Sequence, residues 1–218
     1  MTTKELFFLS DNIDAEVRIR LSKGPALWRH AMSNWDQAIE TIRDPRVQQL
    51  NRDAFRFAKH LQYNHIGLSA SDYFCHPVRV AAYSIFLCEN TEPEIGLLGL
   101  LHNVLEVSSV GPDTLRQLFG EKIFRGVNIL TINRDLANDF DYRRLYYQRI
   151  AEEPLATRAV KVLDKLDNVF LINQNPDPDV RRNYLREISE YVLPIARVDF
   201  PSVASYMSRV VEHCRSLR

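Results

Sequence analysis

The chain has 218 residues, 45% of them hydrophobic and 26% charged, which is enough to bury a core within one domain. Lys plus Arg and Asp plus Glu both number 28, so the formal net charge is zero and nothing in it points to nucleic acid or to an anionic membrane surface. Cys75, Cys88 and Cys214 have no CxxC spacing, no apolar run approaches the roughly 20 residues of a membrane span, and the opening stretch lacks a basic segment followed by a long apolar one. A protein of the reducing cytoplasm is expected, without a disulfide framework, a zinc ribbon or an export signal.

Helical periodicity dominates, and seven glycines are too few for a fold built on tight hairpins, so the expected class is all-α. Residues 1–45 read as an N-terminal helical extension, with Trp28, Met32 and Trp35 on one face after a break at Gly24-Pro25. A helical bundle is expected over 46–218. Its first helix, 46–61, places Val47, Leu50, Ala54, Phe57, Ala58 and Leu61 at steps of three and four, and 62–72 reads as a loop. A strongly apolar helix is expected beyond His76-Pro77 as far as Cys88, with Pro77 in the first turn, where its missing N–H costs nothing. Thr91 is suited to cap the next helix, 95–105, which is apolar nearly all round, as a helix at the centre of a bundle must be. Gly96 and Gly99 inside it cost about 1 kcal/mol each relative to alanine, which implies close approach of a neighbouring backbone. Helices at 112–120 and 121–131 follow, then a polar loop at 133–141 and helices at 142–151 and 155–171. The Asn-Pro-Asp-Pro turn at 175–178 ends the last of these, and 180–217 holds two more, broken near Pro194 or Pro201.

Polar residues on these apolar helices mark where chemistry could reside, because burying such groups unpaired costs a few kcal/mol each. His102-Asn103 with Glu106 ends the core helix, Asp164 and Asn168 lie one turn apart on the 155–171 helix, and His76 stands at the mouth of the helix before them. Imidazoles and carboxylates converging from three helices are what an octahedral Mn²⁺, Fe²⁺ or similar ion requires. Taken singly, each histidine reads equally well as a hydrogen-bonded core residue, and Asp164 with Lys165, Asp167 and Asn168 as the solvated side of a helix. His30, His60 and His213 have no partner pattern and read as structural.

From about Asp53 to Phe170 six blocks follow one another: Phe57-Ala58-Lys59-His60, Tyr73-Phe74-Cys75-His76-Pro77, Leu100-Leu101-His102-Asn103-Val104-Leu105-Glu106-Val107, Phe119-Gly120, Leu130-Thr131, and Lys161-Val162-Leu163-Asp164-Lys165-Leu166-Asp167-Asn168. In order and approximate spacing they resemble the HD-domain hydrolases of the RelA/SpoT group, in particular the small stand-alone alarmone hydrolases of the metazoan SpoT-homologue type. The resemblance implies an HD-domain bundle. It implies metal ligands at His76, His102, Asn103 and Asp164, an acid at Glu106 that positions or activates the attacking water, and a helical asparagine near the nucleophile at Asn168. The ion is usually Mn²⁺ in that family, and the reaction is hydrolysis of the 3′-pyrophosphate of guanosine tetra- or pentaphosphate.

The sequence departs from the family pattern at three places. Asn103 stands where the family has aspartate, so one anionic ligand is lost and weaker divalent-ion binding is expected. Val107 replaces a second acid, and the family's basic loop reads His65-Ile66, where the imidazole of His65 can stack on a base but Ile66 cannot pair with a phosphate. Two functions follow as expectations: a metal-dependent phosphohydrolase acting on a nucleotide with a pyrophosphate group, weakened by these changes; and a degenerate HD domain that binds a nucleotide or a protein partner without turnover.

Overall fold

A computed structural model describes residues 8–64, 67–88, 92–136 and 139–217 of the chain. The fold is all-α, with no strand among the described residues. None of the described helices is long and apolar enough to cross a membrane.

Helix α1 (Ile13–Leu21) starts at Asn12, whose side chain accepts from the Ala15 amide. Gly24, at a positive φ of 59°, turns the chain into α2 (Pro25–Thr41) and donates its N–H to Asp72 Oδ1 at 2.8 Å. Buried Leu27, Ala31, Trp35, Ala38 and Ile39 recur at helical spacing and set α2 against α4, while Trp35 stacks on Phe55 of α3 (Pro45–Lys59).

Helix α4 (Ala70–Leu87) is the hub on which α2, α5 and α9 pack. It begins six residues before His76, earlier than expected, because Ser69 caps it: the Ser69 hydroxyl accepts from the Asp72 amide at 3.1 Å and donates to Asp72 Oδ2 at 2.9 Å. Pro77 therefore lies inside the helix and not in its first turn. The helix tolerates a residue that costs about 3 kcal/mol in such a position because every residue from Tyr73 to Phe86 is buried by its neighbours.

Helix α5 (Ile95–Leu101) is buried on all sides; the position of Thr91, its expected cap, lies outside the described residues. A Cβ on Gly99 would stand 2.6 Å from Ala81 Cα of α4, so the expected close approach of a backbone is present there; at Gly96 the crowding comes instead from side chains, those of Asn51 and of Ile85, whose Cδ1 would stand 2.8 Å away. The helix stops at Leu101 and does not run on to 105. His102 and Asn103 form a turn, with Asn103 at φ −105°, ψ 0°, a bridge-region conformation common at active sites, and α6 (Val104–Val107) resumes beyond it. Asn64 N–H donates to the Val107 carbonyl at 2.7 Å and ties the chain after α3 to α6.

Helix α7 (Pro112–Leu130) is two helical runs divided at Gly120, φ 81° and ψ 168°, as the glycine predicts. A 3₁₀ turn (Arg134–Leu136) leads to α8 (Phe140–Glu152) and α9 (Leu155–Val169), of which α9 packs on α4 and α5. Beyond α10 (Pro178–Glu187) the chain passes without a break at Pro194 into α11 (Leu193–Asp199). The Leu193 N–H reaches back five residues to Ile188, so the amide that Pro194 lacks falls next to a π turn (Ile188–Val192). The break comes at Phe200-Pro201, where α12 (Pro201–Ser216) begins.

Candidate metal centre

Three segments meet at one point: α4 through His76, the α5–α6 turn through His102, and α9 through Asp164. The ligand atoms of these three side chains lie within 4.8 Å of one another. Asp164 Oδ1 is 3.4 Å from His76 Nε2 and 3.6 Å from His102 Nε2, and the two rings cross at 73° with centroids 5.2 Å apart. Both Nε2 atoms are buried, and neither has a hydrogen-bond partner among the described residues. Each Nδ1 is engaged, in His102 with the Gly99 carbonyl at 2.7 Å and in His76 with Asp167 Oδ2 at 2.7 Å. A carbonyl or carboxylate oxygen only accepts, so in the neutral rings the proton sits on Nδ1 and Nε2 turns a lone pair toward Asp164. Two such lone pairs beside a carboxylate fit a divalent ion of borderline character.

The surrounding charges keep both aspartates ionised. Burial alone would push the Asp164 carboxyl up, but the Lys161 ammonium, 3.1 Å from Oδ2, holds it well below the usual carboxylate range. Asp167, only 2% exposed, is likewise held well below that range against its burial by Arg79 and Arg20. Arg79 forks onto both of its oxygens, Nε to Oδ1 at 2.9 Å and Nη2 to Oδ2 at 2.8 Å, and Arg20 Nε reaches Oδ1 at 2.8 Å. Arg20 comes from α1 and is itself paired with Glu16.

The remaining expected residues stand around this point in different ways. Asn168 donates its amide to Asp164 Oδ1 at 2.7 Å, the oxygen that faces both imidazoles. Asn103 is half-buried and donates its amide to the Tyr73 hydroxyl at 3.0 Å. Glu106 is half-buried, accepts from the Ile132 amide at 2.9 Å and has Oε2 4.0 Å from Arg134 Nε. His65 and Ile66 lie outside the described residues. His60 bonds the Arg56 carbonyl and His213 lies 3.0 Å from Asp14, as histidines with structural roles do.

The reading of this α9 face as solvated is overturned at Asp164 and Asp167, which are buried; Lys165 is half-buried and Asn168 is exposed. Sequence reasoning missed Asp167, Arg79, Arg20 and Lys161. One signal for two of them was available: His76 with Arg79 and Asp164 with Asp167 are i, i+3 pairs that aim from two apolar helices at one place.

No family model matches the chain, and no curated protein matches it. Its fold is similar to the solved structure of a metazoan ortholog of SpoT that hydrolyzes ppGpp and plays a role in starvation responses. The TM-score is 0.61 at 17% identity, over 75% of this chain and 94% of that one. The likeness is one of fold, and it agrees with the all-α helical bundle expected from the sequence.

Proposed function

We propose that the protein is a metal-dependent phosphohydrolase whose substrate is a nucleotide bearing a pyrophosphate group, with the 3′-pyrophosphate of guanosine 3′,5′-bis(diphosphate) as the first bond to test. The observation that carries this reading is the pair of buried, unpartnered Nε2 lone pairs facing Asp164. His76, His102 and Asp164 would hold Mn²⁺ or another divalent ion, with Asn103 adding its amide carbonyl. Such an ion supplies positive charge that polarises a phosphoryl oxygen and acidifies water. Glu106, steered by the Ile132 amide, orients the attacking water as a hydrogen-bond acceptor. Asn168 fixes the rotamer of Asp164, and the imidazole of His65 would stack on the base. The net charge of zero supports a free nucleotide over a nucleic acid as the partner, and three buried free cysteines support a cytoplasmic setting.

A second reading, nucleotide binding without turnover, is favoured by one observation. Lys161 and Asn168 already occupy both oxygens of Asp164, while Asn103 brings no charge. Purified protein with added Mn²⁺ is to be incubated with the guanosine 3′-pyrophosphate, its adenosine analogue and nucleoside triphosphates, and released pyrophosphate and phosphate measured. The expected outcome is slow, ion-dependent release that is lost in Glu106→Gln with binding retained. Binding of any of these without release would establish the second reading instead.

A further inference from the structure

We propose that Asp167 is the positioning residue for His76: it holds the imidazole proton on Nδ1 and thereby keeps Nε2 free toward Asp164. The proposal rests on the reading of that cluster as a metal site, but its geometry stands on its own. An ionised carboxylate has about four acceptor positions. At Asp167 all four are taken, by Arg79 Nε and Arg20 Nε on Oδ1 and by Arg79 Nη2 and His76 Nδ1 on Oδ2, at 2.7 to 2.9 Å. The two guanidinium groups are donors only, so they cannot change places with the ring, and they hold the carboxylate in a single orientation.

The two histidines differ in this respect. His102 receives the same tautomer from a neutral backbone carbonyl, Gly99 O, which no side-chain substitution removes. His76 receives it from a charged residue that α9 presents, α4 grips through Arg79, and α1 reaches through Arg20. Carboxylates behind ligating imidazoles set ring orientation and raise ligand basicity, and their loss commonly costs 10–100-fold in metal affinity. On this geometry α1 belongs to the site although it carries none of the expected ligands.

The test is the tautomeric state of His76 and His102 in the full-length, metal-free protein, read by long-range ¹H–¹⁵N NMR at alkaline pH, where imidazole is neutral. Wild type is expected to show Nδ1–H at both rings. In Asp167→Asn the two arginines claim the amide oxygen, its NH₂ turns toward His76, and the ring proton moves to Nε2, as occurs when the aspartate of a catalytic triad is made asparagine. His102 stays unchanged as the internal reference. Calorimetric Mn²⁺ affinity is expected to fall by about 10–100-fold in the same variant. The double variant Asp167→Asn/Arg20→Met, in which Arg79 and Glu16 leave the buried charges balanced, repeats the measurement if the single variant does not fold.

A His76 proton on Nε2 in wild type overturns the proposal, whatever the variants do. Retention of Nδ1–H and of wild-type affinity in a folded variant overturns it as well and leaves the metal-site reading standing. A tautomer switch in a protein that binds no divalent ion would support the positioning role and refute the functional reading.

Discussion

Asn103 puts an amide where one more negative charge would meet a bound cation. Its NH₂ is spent on the Tyr73 hydroxyl, a group that can equally donate, so a carboxylate at this position would keep a partner. Asn103→Asp is therefore expected to tighten Mn²⁺ binding by about tenfold, roughly 1.4 kcal/mol, in a calorimetric titration. Unchanged affinity would remove position 103 from the ligand set. At this scale the sequence was legible wherever a polar residue interrupts an apolar helix, as at His76, His102 and Asp164. It was not legible at Asp167, whose neighbours Lys165 and Asn168 give it the look of a solvated face, or at Arg20, which reaches its partner across 147 positions of chain. Contacts of that range have no local pattern to betray them.

Helix α5 is held against α4 at a spacing only glycine permits. Gly99→Ala gains about 1 kcal/mol of helix propensity but drives a Cβ to 2.6 Å from the Ala81 backbone, which cannot yield as a flexible side chain would. Overpacking of this kind costs about 1–3 kcal/mol, so a net loss is expected in denaturant unfolding, and an alanine variant as stable as wild type would mean that the two helices can part. Because α4 and α5 carry His76 and His102, such a shift would also part the imidazoles. Helix existence was legible from periodicity, and so was the meaning of Gly99, though not that of Gly96, which makes room for the side chains of Asn51 and Ile85. Helix ends were less so: α4 starts at a serine cap that the apolar run of its later residues obscured, and α5 ends where a polar pair turns the chain although the apolar pattern continues through Val104 and Leu105. The break expected near Pro194 or Pro201 came at Pro201, because a π turn absorbs the missing amide of Pro194.

Across the whole molecule the net charge of zero conceals ions kept out of water. Glu187 is one that lies apart from the candidate metal centre: it accepts from the Tyr147 hydroxyl and lies 2.9 Å from Lys165 Nζ and 2.8 Å from Arg143 Nη1. Burial alone would raise its carboxyl; Lys165, the Tyr147 hydroxyl and Arg143 together bring it below the usual value. A carboxyl depressed in the folded state stabilises the fold above its unfolded pKa and loses that contribution as pH falls through the folded one. Glu187→Gln, which leaves Lys165 without the buried carboxylate it pairs with, is expected to cost about 3–5 kcal/mol at neutral pH. The gap should close as pH falls below the ordinary carboxylate range, and melting curves that stay equally far apart at every pH would contradict it. The bond from Asn64 to the Val107 carbonyl has a last consequence, for what position 107 admits. It pins α6 with the Val107 side chain turned inward, 3% exposed, so an acid placed there would have to be buried, at a cost of several kcal/mol. An acid is therefore admitted at 103 by a single substitution, whereas at 107 it is barred by the core that closes over that side chain.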